Sequence, residues 1–113
     1  MRGWRADGAA VQANVGPIAW QFGENLISLR KRALMSQEDL AFAANLHRTE
    51  IGMLERGVRI ARIDTVIKLA GALKVQPADL LKGMYWTPAP VPQGEFGVRD
   101  SEEDADLPEV DRG

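Results

Sequence analysis

The sequence predicts an all-α protein of five helices, followed by an extended C-terminal segment and an acidic tail. Three observations lead there. Between Gly16 and Gly83 apolar residues recur at helical spacing almost throughout. After Met84 the composition changes to Tyr-Trp-Thr-Pro-Ala-Pro-Val-Pro-Gln-Gly, which cannot continue a helix because proline lacks the donor and crowds the preceding turn. From Asp100 to Gly113 the chain is acidic and almost without large apolar side chains, so it is expected to be disordered. With 113 residues and no cysteine, the chain is read as one domain built on a single core without disulfides.

Residues 1–15 mix Gly, Ala, Asn and scattered charge without periodicity and are read as a flexible arm. The first helix is expected from Pro17 to Ala33, with Ile18, Phe22, Leu26, Leu29 and Ala33 on the inner face. Ser36 precedes the second helix, Gln37 to Ala44, and Asp39 stands three residues on. This is a capping-box pattern that satisfies two amides at the helix start and sets a carboxylate on the positive end of the dipole. The third helix is expected from Arg48 to Arg56, stopped by Gly57. The fourth spans Ile63 to Leu73, with Val66, Ile67, Ala70 and Leu73 inward, and the fifth runs from Pro77 to about Lys82. Glu95 to Arg99 is read as a short strand, with the possibility that it pairs with its copy in a second chain.

The formal charge of −2 conceals an asymmetry. Residues 16–83 carry ten basic and seven acidic side chains, a net of plus three; from Met84 onward two arginines face eight acids, a net of minus six. The helical part is basic and the tail acidic, so the two segments suit different partners. One histidine and no cysteine leave no triad and no metal-ligand cluster, and there is no glycine-rich phosphate loop. No cofactor, no metal and no enzymatic activity are therefore expected. No apolar run approaches a membrane span or a signal peptide, so a cytoplasmic location is expected.

The second and third helices are separated by Asn45, Leu46 and His47. Two short helices joined so tightly meet at a steep angle, which requires a small residue at the contact, a left-handed turn residue and apolar side chains facing the body. Ala41 supplies the first and Asn45 the second; Leu40, Ala44, Leu46, Ile51 and Leu54 supply the third. Residues 37–56 therefore read as a helix-turn-helix.

The runs Ser36-Gln37-Glu38-Asp39-Leu40-Ala41, Leu46-His47-Arg48-Thr49-Glu50-Ile51 and Leu54-Glu55-Arg56-Gly57 resemble the phage-repressor/Cro superfamily, also called the xenobiotic-response-element family. Arg62-Ile63-Asp64-Thr65 and Leu69 to Val75 are similar to that family's fourth helix. The resemblance covers Phe22 to Gly83 and departs from the usual pattern at Asn45, where Gly is common, and at Ile60-Ala61-Arg62, where many members carry Pro. It implies a lambda-repressor-like domain that binds double-stranded DNA as a transcriptional regulator, a repressor or an autoregulatory controller, with the third helix in the major groove. Matching positions imply base contacts from Arg48, Thr49, Gly52 and Met53, and phosphate contacts from Gln37, Arg56, Arg59 and Arg62. The family also pairs the positions of Arg30 and Glu55 in a salt bridge between the first and third helices.

Blander roles stand beside several of these. Met53 also suits core filling, and Arg59 and Arg62 also suit solvated loop positions. Gly23 reads as a close helix contact, and His47 as a solvated residue at the mouth of the third helix. Leu80, Leu81, Met84, Tyr85 and Trp86 form an apolar cluster that either completes the monomer core or joins two copies. A single helix-turn-helix reads one half-site, so a homodimer is expected. The acidic tail sustains a competing reading, in which the same fold is a protein-interaction adaptor or an antitoxin and the tail binds a protein partner.

Overall fold

The computed structural model describes residues 15–89 and 93–99. The expectations for the N-terminal arm up to residue 14 and for the tail at 100–113 lie outside the described residues. The element order is α1 (Pro17–Arg32), α2 (Gln37–Ala44), α3 (Arg48–Glu55), α4 (Ile63–Leu73), α5 (Pro77–Leu80), β1 (Met84–Thr87) and β2 (Glu95–Val98).

α1 begins at Pro17, whose fixed φ suits the first helical position, and ends on Arg30, Lys31 and Arg32, whose charges favour the negative end of the dipole. Its buried residues are Ala19, Phe22, Gly23 and Leu26. Of the expected inner face, Phe22 and Leu26 are buried and Leu29 packs partly against the core, whereas Ala33 is exposed because the helix has already ended there. Ala19 and Gly23 shift the buried stripe, since small residues there let another helix come close. In α4 the buried set is Thr65, Leu69, Ala70 and Leu73. Ile67, expected inward, is 55% exposed. The helix turns Leu69 to the core, and Ile67 two residues earlier falls on the opposite side.

One core unites all five helices through Phe22, Leu26, Leu40, Ala41, Ala44, Ile51, Leu54, Leu69, Ala70, Leu73 and Leu80. Leu80 is therefore not available to a dimer face. α5 presses it fully into the monomer core, and Asn25 on α1 fixes that end by donating from Nδ2 to the carbonyls of Leu80 (2.9 Å) and Lys82 (3.0 Å).

β1 and β2 form a two-stranded antiparallel hairpin in the register Met84–Val98, Tyr85–Gly97, Trp86–Phe96 and Thr87–Glu95. Within the chain, Glu95–Val98 thus pairs along one edge with Met84–Thr87. The hairpin is locked at its base by the Arg99 amide, which donates to the Gly83 carbonyl at 2.8 Å. β2 lies against α1. Trp86 and Phe96 meet edge-to-face at 4.9 Å, and the Arg99 guanidinium sits 4.3 Å from the centre of the Tyr85 ring.

Candidate nucleic-acid interface

The site is built on α2, its turn and α3. Ser36 caps α2: its hydroxyl accepts from the Asp39 amide at 2.9 Å, and the Asp39 carboxylate accepts from the Ser36 amide at 3.0 Å. Those bonds, first to the Ser36 backbone and then to its side chain, hold the Asp39 carboxyl below its ordinary value. At the far end Asn45 takes a left-handed conformation (φ 56°, ψ 48°). The Leu46 amide donates to the Ala41 carbonyl at 2.8 Å and the Asn45 amide to the Phe42 carbonyl at 3.2 Å, which closes the helix with both orphan carbonyls satisfied. The chain then reverses within three residues and α3 starts at Arg48.

α3 is clamped from behind. Gly23 faces its C-terminal end so closely that a Cβ there would lie 2.5 Å from the Glu55 carbonyl oxygen and 2.7 Å from that of Leu54. Beside this contact Arg30 grips Glu55, with Nε on Oε2 at 2.5 Å and Nη2 on Oε1 at 3.1 Å, while Nη1 donates to the Met35 carbonyl at 2.9 Å. Both side chains are largely buried, at 12% and 5% exposure. A third donor completes the carboxylate: Gln37 Nε2 reaches Oε1 at 2.8 Å. One buried acid thus fixes α1, the start of α2 and the end of α3 together.

That third bond directs the side-chain nitrogen of Gln37, whose position the family resemblance assigns to a phosphate contact, inward to Glu55. Its backbone amide stands at the first position of α2. Nothing local in the sequence marks this pairing, because the residues are eighteen apart.

The remaining expected contacts fall into three groups. Arg48 and Thr49 are exposed on the first turn of α3, next to exposed His47. Arg56 and Arg59 are exposed after the helix, as is Arg62, which forms a solvent-facing ion pair with Asp64 at 3.3 Å. Such an exposed pair holds its partners only weakly. Met53 is half-buried, and Gly52 is buried. The Arg56 Nη1 atom lies 3.1 Å from where a Cβ of Gly52 would be. Gly52 is therefore covered by the Arg56 side chain one turn later. Among the described residues no group of three or more His, Cys, Asp or Glu side chains could hold a metal ion, and no helix is long and apolar enough to cross a membrane.

Two short helices packed on each other across a three-residue turn, with an exposed polar start to the second and arginines beyond it, define a helix-turn-helix DNA-binding protein. The profile of the HTH_3 helix-turn-helix family matches residues 26–80. The control protein C.BamHI of Bacillus amyloliquefaciens is 48% identical over 61 residues, covering 53% of this chain and 75% of that protein. The control protein C.SmaI of Serratia marcescens is 45% identical over 58 residues, covering 51% and 69%. Among solved structures, the restriction-modification controller protein C.AhdI from Aeromonas hydrophila is similar with a TM-score of 0.54 and 40% identity, covering 55% of this chain and 94% of that one. The wild-type controller C.Esp1396I follows at 0.54 and 28%, covering 57% and 86%. The chain belongs to the HTH_3 helix-turn-helix family, whose members are DNA-binding transcription regulators and not enzymes.

Proposed function

We propose that the chain is the controller of a restriction-modification system, a repressor or autoregulator that binds its operator as a lambda-repressor-like homodimer. The observation that carries the contact map is the exposure of Arg48 and Thr49 on the first turn of α3, flanked by exposed Arg56, Arg59 and Arg62. The controller role is supported by the control proteins C.BamHI and C.SmaI at 48% and 45% identity. In this reading Arg48 makes a forked contact to guanine, Thr49 reads a neighbouring base edge, and Met53 adds apolar contact. Arg56, Arg59, Arg62 and the Gln37 backbone amide hold phosphates, the last at a helix N-terminus. With Leu80 in the core, the self-association face is left to Leu81 and Trp86, which are 45% and 50% exposed, and to half-buried Met84 and Tyr85.

Selection from random duplexes, followed by titration of the winner at several salt concentrations, tests this. A preferred duplex is expected, with affinity falling steeply as salt rises because phosphate contacts release counterions. Arg48→Ala is expected to cost roughly 1–3 kcal/mol on the preferred duplex and little on random DNA. Arg59→Ala is expected to weaken both equally and to lower the salt slope by about one. If no duplex is preferred over random DNA, the operator reading fails and the adaptor reading takes its place.

A further inference from the structure

The charge asymmetry of the chain places an anionic segment within reach of a cationic surface. Residues 100–113 carry seven carboxylates (Asp100, Glu102, Glu103, Asp104, Asp106, Glu109 and Asp111) against Arg112 alone. They follow directly from the hairpin, whose base is pinned by the bond from the Arg99 amide to Gly83. Arg99, the cation nearest to them in sequence, already lies over the Tyr85 ring. Fourteen residues span up to roughly 46–50 Å when extended. The longest dimension of the molecule is 43 Å. The extended length of residues 100–113 exceeds that dimension. Exposed cations stand around α3, at Arg48, Arg56, Arg59 and Arg62, and elsewhere at Lys31, Arg32, Lys68, Lys74 and Lys82; the group around α3 is the one made entirely of arginines. Guanidinium groups bind carboxylate and phosphate through the same two-pronged geometry, so a surface suited to a DNA backbone also suits a run of acidic side chains. Tethering supplies those carboxylates at an effective concentration on the order of millimolar, whatever the protein concentration.

We propose that residues 100–113 dock on the arginine surface around α3 of their own chain and that duplex DNA binds by displacing them. The proposal deepens the reading of that surface as the nucleic-acid interface. Two consequences are quantitative. The tail lowers affinity for every duplex by the same factor, because specific and random DNA both displace it. It also flattens the salt dependence, because arginines already neutralised by carboxylates release fewer counterions when phosphates replace them.

The test uses the full chain with all seven acids of residues 100–113 changed to their amides, Asp→Asn and Glu→Gln. At low salt this variant is expected to bind a random-sequence duplex about tenfold more tightly, with a steeper salt slope. The advantage shrinks to about twofold where added salt screens the tail. A second measurement separates docking from general repulsion and needs no DNA. The chain has no cysteine, so Leu107→Cys accepts a single nitroxide label. Amide signals of residues 48–62 are expected to broaden selectively and to recover on adding salt. A mixture of isotope-labelled, label-free chains with spin-labelled ones should leave those signals sharp. Uniform broadening, broadening confined to the hairpin, or broadening in the mixed sample overturns the proposal, as does an affinity change below threefold. If neither protein binds any duplex but the selective broadening is present, the docking stands and the DNA reading of the surface fails.

Discussion

Gly23→Ala tests how α3 is held. In the middle of a helix this substitution ordinarily stabilises by up to about 1 kcal/mol, because alanine loses less backbone freedom on folding. Here the sign reverses. The new Cβ would lie 2.5 Å and 2.7 Å from the carbonyl oxygens of Glu55 and Leu54, and 2.9 Å from the Glu55 carbonyl carbon. These are backbone atoms and cannot rotate away. Restoring ordinary contact at about 3.4 Å moves α1 and α3 apart by nearly 0.9 Å. Forcing extra volume into a packed contact costs about 1–3 kcal/mol, and subtracting a helical gain of about 1 kcal/mol leaves a net loss of up to about 2 kcal/mol. For a body of this size, a loss of that order lowers Tm by up to about 15 °C. Gly71→Ala is the matched control, since α4 leaves nothing within 4 Å of a Cβ there. It is expected to raise Tm. Thermal melts of the two variants and the parent, followed by circular dichroism, decide the matter. If both variants are stabilised alike, the close approach of α1 to the end of α3 is not what fixes the recognition helix.

Other outcomes follow from the same clamp and from the cap. Glu55→Ala strands the largely buried guanidinium of Arg30 and removes the acceptor of Gln37, so a loss of about 3–5 kcal/mol is expected in urea titration. Changing Arg30 and Glu55 together to Met and Leu should cost markedly less than Glu55→Ala, because no buried charge is then left alone. Asp39 supplies a pH test whose sign is fixed by its cap bonds. Its carboxyl titrates below its ordinary value of 3.8 in the folded state, so its contribution is full above that value and disappears as pH falls through the lower folded value. The stability gap between the parent and Asp39→Asn should therefore be constant near neutrality and narrow in acid, read by denaturation at a series of pH values.

Much of this architecture is legible from residue chemistry alone. Ser36 with Asp39, Asn45 at the turn, and Gly57 after α3 each solve a local problem in a way that few residues can. Those elements fall where the sequence places them, because the relevant bonds close within a few residues. What the sequence hides is non-local or chemically unmarked. Leu34 and Lys74 adopt left-handed conformations (φ 61° and 59°) with no glycine or asparagine to announce them. The turn at Lys74 is imposed by α4 and α5 packing on one core. Likewise, Gln37 is captured by Glu55 across eighteen positions, and the end of α5 is tied to α1 by the bond from Asn25 to the Leu80 carbonyl across fifty-five. The strand at Glu95–Val98 is legible from its composition, but its partner is not. A sequence of apolar and aromatic residues suits pairing in one chain as well as between two.

The buried glycine beneath Arg56 has a softer neighbour than the one behind α3. At Gly23 a larger residue meets backbone and compromises folding. At Gly52 the atom it meets is the tip of a flexible side chain, 3.1 Å away. A methyl group there displaces the Arg56 guanidinium and leaves the helix intact. Position 52 thus shifts a neighbouring cation by a few tenths of an ångström without itself being exposed and at little cost to the fold. These two buried glycines therefore differ in what they constrain: Gly23 sets how closely two helices approach, and Gly52 sets only where one side chain lies.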